Sequence, residues 1–161
     1  MYADKIKTLS IARDANWRTP PAIFEALHRV FSFTVDACAM PDNALLPRYW
    51  TPETDCVNQS WLGERVFCNP SPSEVFRILP RCDSAELTCV LLPLPSLFSP
   101  IGHKYPPRLL AIPNRKIPLL DPLTKCSGPA APYVFAMYGE IQPEHVAGLH
   151  RQSCRVYAGI A

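Results

Sequence analysis

Residues 65–72 read Arg-Val-Phe-Cys-Asn-Pro-Ser-Pro, an apolar run that stops in a stiff polar corner. Open α/β sheets hold their ligands where buried strands break into such corners, so Asn69 and Pro70 are the first candidates for chemistry. The same pattern also ends many ordinary strands, and alone it does not define a reaction. Asp36 has a similar placement, directly after the short apolar segment Phe33-Thr34-Val35. An acid there suits a polar or cationic part of a ligand, and it equally suits the cap of a turn.

The other chemistry-bearing residues point away from metal and redox work. Seven cysteines (Cys38, Cys56, Cys68, Cys82, Cys89, Cys126 and Cys154) include no CxxC pair, and several lie inside apolar runs. Buried free thiols in a reducing compartment account for this better than a disulfide framework. Cys68 and Cys89 read as core thiols because no base neighbours them in sequence. The histidines His28, His103, His145 and His150 have no metal-ligand spacing, so no metal is expected. With only six glycines, the chain has neither a GxGxxG nor a Walker-type phosphate loop.

Several elements must position these residues. Thr19 and Pro20 predict the N-cap and first position of a helix over 20–31, with Ile23, Leu27 and Val30 as its apolar stripe. Short strands are expected at 33–36, 66–68, 108–112 and 133–138, with a short helix over 74–79. The run Leu87–Leu92 is apolar throughout, as a central parallel strand should be. Pro143–Arg151 predicts a small amphipathic closing helix that packs on the sheet or on a second subunit. Helices alternating with buried strands imply an α/β three-layer sandwich, with 1–161 as one domain and 1–15 as a polar arm. Trp61 and Tyr133 read as packing residues.

At 48% hydrophobic and 19% charged residues, the chain has the composition of a folded soluble protein. The formal charge of +2 does not by itself imply nucleic acid. Nineteen prolines demand short helices and stiff loops. Residues 1–15 carry scattered charges without an apolar core, and the longest apolar stretch, 89–98, contains prolines and is too short for a bilayer. A cytoplasmic protein with no membrane contact is the expectation.

The order of the motifs is more specific than any one of them. Trp17-x-Thr19-Pro20 comes first, then F-x-F-x-V-D-A-C-A over 31–39 and D-N-A-L-x-P-R-Y-W-T over 42–51. Trp61, Val66-Phe67-Cys68-Asn69-Pro70 and a strand ending Leu91-Leu92-Pro93 complete the series. From about Trp17 to about Gly139, the chain resembles the phage-type DNA adenine-N6 methyltransferase (Dam-like) family. That resemblance implies a Rossmann-like fold, reduced in size, that uses S-adenosylmethionine. It places Trp17, Thr19 and Pro20 against the cofactor pocket, Asp36 as its acidic residue and Asn43 in the second motif block. Asn69-Pro70 resembles the start of the catalytic tetrapeptide Asn-Pro-Pro-Tyr or Asp-Pro-Pro-Tyr. An amide oxygen and a backbone carbonyl there would accept the hydrogens of adenine's amino group, and catalysis would be mostly positioning. Adenine must also leave the duplex stack, and an aromatic ring normally receives it.

The chain departs from the pattern at Ser71 and Pro72, where the family has proline and the receiving aromatic. Losing that ring costs about tenfold to a hundredfold in affinity, at about 1–3 kcal/mol per stacked base. Phe76 and Trp50 are candidate replacements. The segments after Asn69 and over 95–108 are also short for the family. Two alternatives to an active enzyme follow. One is an inactive methyltransferase-fold protein that binds and inhibits a host protein. The other is a DNA-binding module using Arg108, Arg115, Lys116 and Lys125 on phosphates, although Arg115-Lys116 also reads as a solvated turn.

Overall fold

A computed structural model of the chain describes residues 17–121 and 132–158. The expected arm at 1–15, Cys126 and Lys125 lie outside the described residues. The first helix, α1, spans Pro21–Phe31 and buries Phe24, Leu27 and Phe31. It starts one residue later than the Thr19 cap predicts. Pro20 is the N-cap residue in extended backbone (φ −60°, ψ 133°), and no side chain caps the helix. The physical reason is Pro21, which disfavours helical backbone at the residue before it and brings no N–H that needs a cap. At the other end Ser32 turns left-handed (φ 49°) and its N–H closes on the His28 carbonyl.

The strands β1 (Val35–Asp36), β2 (Arg65–Cys68) and β3 (Leu87–Pro93) run parallel and adjacent. Helix α2 (Val75–Ile78), continued as a 3-10 segment over Leu79–Ser84, links β2 to β3. After β3 come a 3-10 segment (Leu94–Phe98), helix α3 (Pro100–Lys104) and strand β4 (Leu109–Pro113). Strand β5 (Tyr133–Gly139), helix α4 (Pro143–Arg151) and strand β6 (Cys154–Ala158) follow. The sheet order is β1-β2-β3-β5-β4-β6. β3 is parallel to β2 as expected, but antiparallel to β5 along seven residue pairs, Leu87 with Gly139 through Pro93 with Tyr133. β4 runs in the direction of β3 one place removed, and β5 fills the gap between them in the reverse sense. An apolar run identifies burial and is blind to strand direction, so it gives no sign of the reversed β5.

Alternation along the strands sorts the core onto two faces. Phe67, Leu91, Phe135 and Met137 pack with Phe24, Phe31 and Leu149 from α1 and α4. Val66, Cys68, Val90, Leu92 and Tyr138 pack with Val75, Ile78 and Leu79, and half-buried Leu97 and Ile101 lie against them. The chain thus covers both faces of a mixed α/β sheet with short helices, as its prolines require. Trp61 is buried and its Nε1 donates to the Cys56 carbonyl at 2.7 Å, which makes it a packing residue.

Where α1 crosses α4, Gly148 faces Val30. A β-carbon on Gly148 would come within 2.6 Å of a Val30 methyl. That overlap costs about 1–3 kcal/mol, more than the roughly 1 kcal/mol that alanine gains over glycine in a helix. Gly148→Ala is therefore expected to lower the urea midpoint, and the loss should shrink when Val30→Ala is introduced in the same chain. Equal losses in both backgrounds would show that the two helices do not meet at this point.

Candidate active site

The carboxyl ends of β1 and β2 open into a cavity of about 250 Å³. Its walls are the start of α1, the loop after β1 and the corner after β2. Trp17, Thr19, Asp36, Asn43, Asn69 and Pro70 all line it. Pro20, the remaining residue expected here, does not line the cavity and serves instead as the N-cap of α1.

Asn69 is half-buried, and its side-chain amide is locked. Nδ2 donates to the Trp17 carbonyl at 2.6 Å and to the Thr19 hydroxyl at 3.1 Å. Rotating the amide by half a turn would set its oxygen against a carbonyl oxygen, so the orientation is fixed. Both amide hydrogens are used, and Oδ1 carries no hydrogen bond among the described residues. Pro70, which has no N–H, is buried directly behind it. Ser71 and Ser73 satisfy one another at 3.0 Å between hydroxyl oxygens. The corner therefore offers a fixed amide whose oxygen is unused among the described residues, on a proline-stiffened backbone.

Asp36 ends β1 and is 3% exposed. Its Oδ2 accepts the Leu45 N–H at 3.1 Å, and its backbone pairs with Arg48 and Trp50 across the following loop. Burial pushes the carboxyl up from 3.8 to about 6, against the lowering effect of backbone N–H groups at Leu45 and Cys38. It is thus mostly ionised at neutral pH, in the cavity wall. Asn43 also lines the cavity, but its Oδ1 is committed to the Met40 N–H at 2.7 Å and closes the loop turn.

Three thiols cluster at the same wall. Cys38 and Cys68 lie 3.0 Å apart between sulfurs, and Cys38 and Cys56 line the cavity. Contact with Cys56 lowers the Cys38 thiol, but contact with Cys68 and burial outweigh it and raise it well above its ordinary value. The Cys56 thiol is raised by its contact with Cys38 and by burial. Burial pushes Cys68 up to about 11. These sulfurs stay protonated. Among the described residues no group of three or more histidine, cysteine or acidic side chains is arranged to hold a metal ion, and no helix is long and apolar enough to cross a membrane.

Sequence reasoning did not single out several lining residues. Arg77 lies between Asp55 (2.6 Å) and Glu74 (2.7 Å), and Arg18 pairs with Asp42 at 2.6 Å. Asp55 adopts a left-handed φ of 47°, unusual for a residue with a side chain. Its carboxylate also accepts from Asn58 Nδ2 at 3.1 Å. Tyr133 enters because β5 runs antiparallel, which brings its first residue beside Pro93 at the end of β3. The two rings proposed as stand-ins divide: Trp50 lines the cavity, its ring 5.8 Å from that of Trp61, whereas Phe76 is 61% exposed and outside the lining.

The raised Asp36 carboxyl has a consequence for stability. An acid that binds its proton more tightly folded than unfolded favours the native state most below its unfolded value. That advantage disappears as pH rises through the folded value. From about pH 4 to about pH 6 the chain should therefore lose roughly 3 kcal/mol through Asp36, at about 1.4 kcal/mol for each pH unit separating the two values. Asp36→Asn is expected to flatten this part of the stability curve, measured by urea unfolding at a series of pH values. At pH 7.5 it should leave the protein as stable as the parent or more so. A clear loss of stability at pH 7.5 would show that the ionised carboxylate holds the fold together.

The family model for DNA N-6-adenine-methyltransferase (Dam) matches residues 5–89. No curated protein matches the chain. The match spans more than half of the 161 residues and includes every lining residue described above except Tyr133. It ends within β3, so β4, β5, α4 and β6 lie beyond it, short of the resemblance to Gly139 that the motifs suggest. With Asn69-Pro70, Asp36 and the Trp17 segment gathered inside the matched region, the chain belongs to the DNA N-6-adenine-methyltransferase (Dam) family.

Proposed function

We propose that the protein binds S-adenosylmethionine in this cavity and methylates the exocyclic amino group of adenine in DNA, on a reduced three-layer Rossmann-like fold. The observation that carries the reading is the Asn69 amide, clamped by Trp17 and Thr19 with its oxygen left as an acceptor. Membership of the family supports the reaction class, and helices against both sheet faces support the layered fold.

The lining suits the cofactor. Asp36 supplies a buried carboxylate for a hydroxyl or cationic group, and the Trp17 segment, Ala37, Phe67 and Asn43 supply mixed apolar and polar walls. When bound, S-adenosylmethionine provides an electrophilic methyl group. Adenine's amino nitrogen is a weak nucleophile because its lone pair is delocalised into the ring. Asn69 Oδ1 and the Pro70 carbonyl accept its two hydrogens and favour the geometry in which the lone pair is available for attack. No side chain in the corner is a strong base, so the proton shed by the methylated nitrogen would pass to solvent, and the rate gain comes from position. The cavity volume lies just under the roughly 300–1,000 Å³ usual for small-molecule sites.

Pro72 leaves no ring in the tetrapeptide, and this favours a second reading in which the fold keeps its ligand and has lost transfer, acting as an inactive relative that binds a host protein. Transfer of a tritiated methyl group to adenine-containing DNA separates the two. On the first reading Asn69→Ala lowers transfer about a hundredfold, the scale expected when a positioning group is removed. Thr19→Val should lower kcat about tenfold while calorimetry shows nearly unchanged cofactor affinity. Cofactor binding should weaken as pH falls through about 6, where Asp36 gains its proton. Heat on titration with the cofactor but no transfer above the Asn69→Ala level would leave the second reading standing.

A further inference from the structure

The cavity rim is a poor place for DNA phosphates. Its basic lining residues are Arg18 and Arg77, and both are held by carboxylates: Arg18 by Asp42, and Arg77 by Asp55 and Glu74. Asp36 adds a further negative charge. A phosphate landing there would have to displace an existing ion pair.

The same edge of the sheet has a different character farther along. β4 runs in the direction of β3, so its end at Pro113 lies on the cavity edge, and β6 starts beside it, with Pro113 opposite Cys154. The loops that leave these strand ends are tied together by the Asn114 N–H donating to the Ser153 carbonyl at 3.0 Å. Residues 113–118 and 148–158 carry Arg115, Lys116, His150, Arg151 and Arg155 and contain no aspartate or glutamate. All five are exposed. Among the described residues, Arg115, Arg151 and Arg155 make no ion pair. Arg108, expected on this face, lies instead at the opposite end of β4, 3.4 Å from Asp83.

We infer that the β4–β6 flank, centred on Arg115, Arg151 and Arg155, is the surface that holds the phosphate backbone of a DNA substrate whose adenine enters the cavity. The inference rests on the methyltransferase reading for the position of the base. Its geometry is simple. Strands sit about 4.8 Å apart, so β4 and β6 lie roughly 14 and 19 Å from β2 and Asn69. At 3.4 Å per nucleotide along the duplex axis, that is roughly four to six nucleotides from the target base. Contacts are thus confined to one side of the target, while the acidic rim keeps the backbone off the cavity mouth.

Fluorescence anisotropy with an adenine-containing duplex, across 50–300 mM salt, tests this. The triple variant Arg115→Ala/Arg151→Ala/Arg155→Ala should bind more weakly. Its slope of log affinity against log salt should fall by about two to three, because each neutralised phosphate contributes about 0.9. The triple lysine variant should keep the parent slope, because charge and not fork geometry is what the phosphates need. Trimming the duplex to three base pairs on one particular side of the adenine should erase the difference between parent and alanine variant. A parent-like slope in the alanine variant, or no binding by the parent at 50 mM salt, would overturn the inference. Calorimetric binding of S-adenosylmethionine by both proteins reports on the cavity separately. Lost cofactor binding with a salt-sensitive patch intact would sink the enzyme reading and leave the surface standing. An unchanged slope in a protein that methylates DNA would do the reverse.

Discussion

Two hydrogen bonds from one side chain hold the site together. The Asn69 amide reaches back some fifty residues to the Trp17 carbonyl and the Thr19 hydroxyl. Each bond contributes only about 1 kcal/mol of net stability, but together they set the amide's orientation and the path of the chain into α1. The two prolines that follow make this possible. Ordinarily a threonine before a helix would turn its hydroxyl onto the first free N–H groups. Pro21 has none, and the Ile23 and Phe24 N–H groups both reach the Pro20 carbonyl. The Thr19 hydroxyl is left to serve the corner at the end of β2. A sequence feature that looks like a helix start is in effect a clamp on another element.

This explains what was legible in the chain and what was not. Elements with strong apolar patterns, such as α1, β2, β3, β5 and α4, could be located because burial leaves a periodic trace. Asn69 and Asp36 were legible because chain breaks after apolar runs sit at strand ends. The direction of β5 left no trace, since a strand buried on both faces reads the same from either end. Tyr133 packs in the core as it reads, and strand reversal, which the sequence does not show, also places it on the cavity wall. β6 was missed because only Cys154 of Cys154–Ala158 is buried, so this five-residue strand at the sheet edge leaves almost no apolar trace. Asp55 was missed because its role depends on Arg77, which comes from the far side of β2.

The family match and the electrostatics divide the sheet at nearly the same place. The matched region, ending in β3, holds a cavity whose two arginines are paired with Asp42, Asp55 and Glu74, so that with Asp36 the acidic groups are in excess. The remainder supplies a separate strand pair with an exposed positive rim. Recognition of a small guest and attraction of a large polyanion make opposite demands on local charge. On the proposed reading, placing them on opposite sides of β3 and β5 meets both without either disturbing the other.

The thiols along the cavity wall have a final implication. On the proposed reading a reactive methyl donor would sit beside Cys38 and Cys56, and a thiolate is a far better nucleophile than an adenine amine. Contact with Cys56 lowers the Cys38 thiol, but contact with Cys68 and burial outweigh it, and contact with Cys38 and burial raise the Cys56 thiol, so both are held protonated. The wall can then touch an alkylating agent without being consumed by it, a protection against self-alkylation that comes from packing alone.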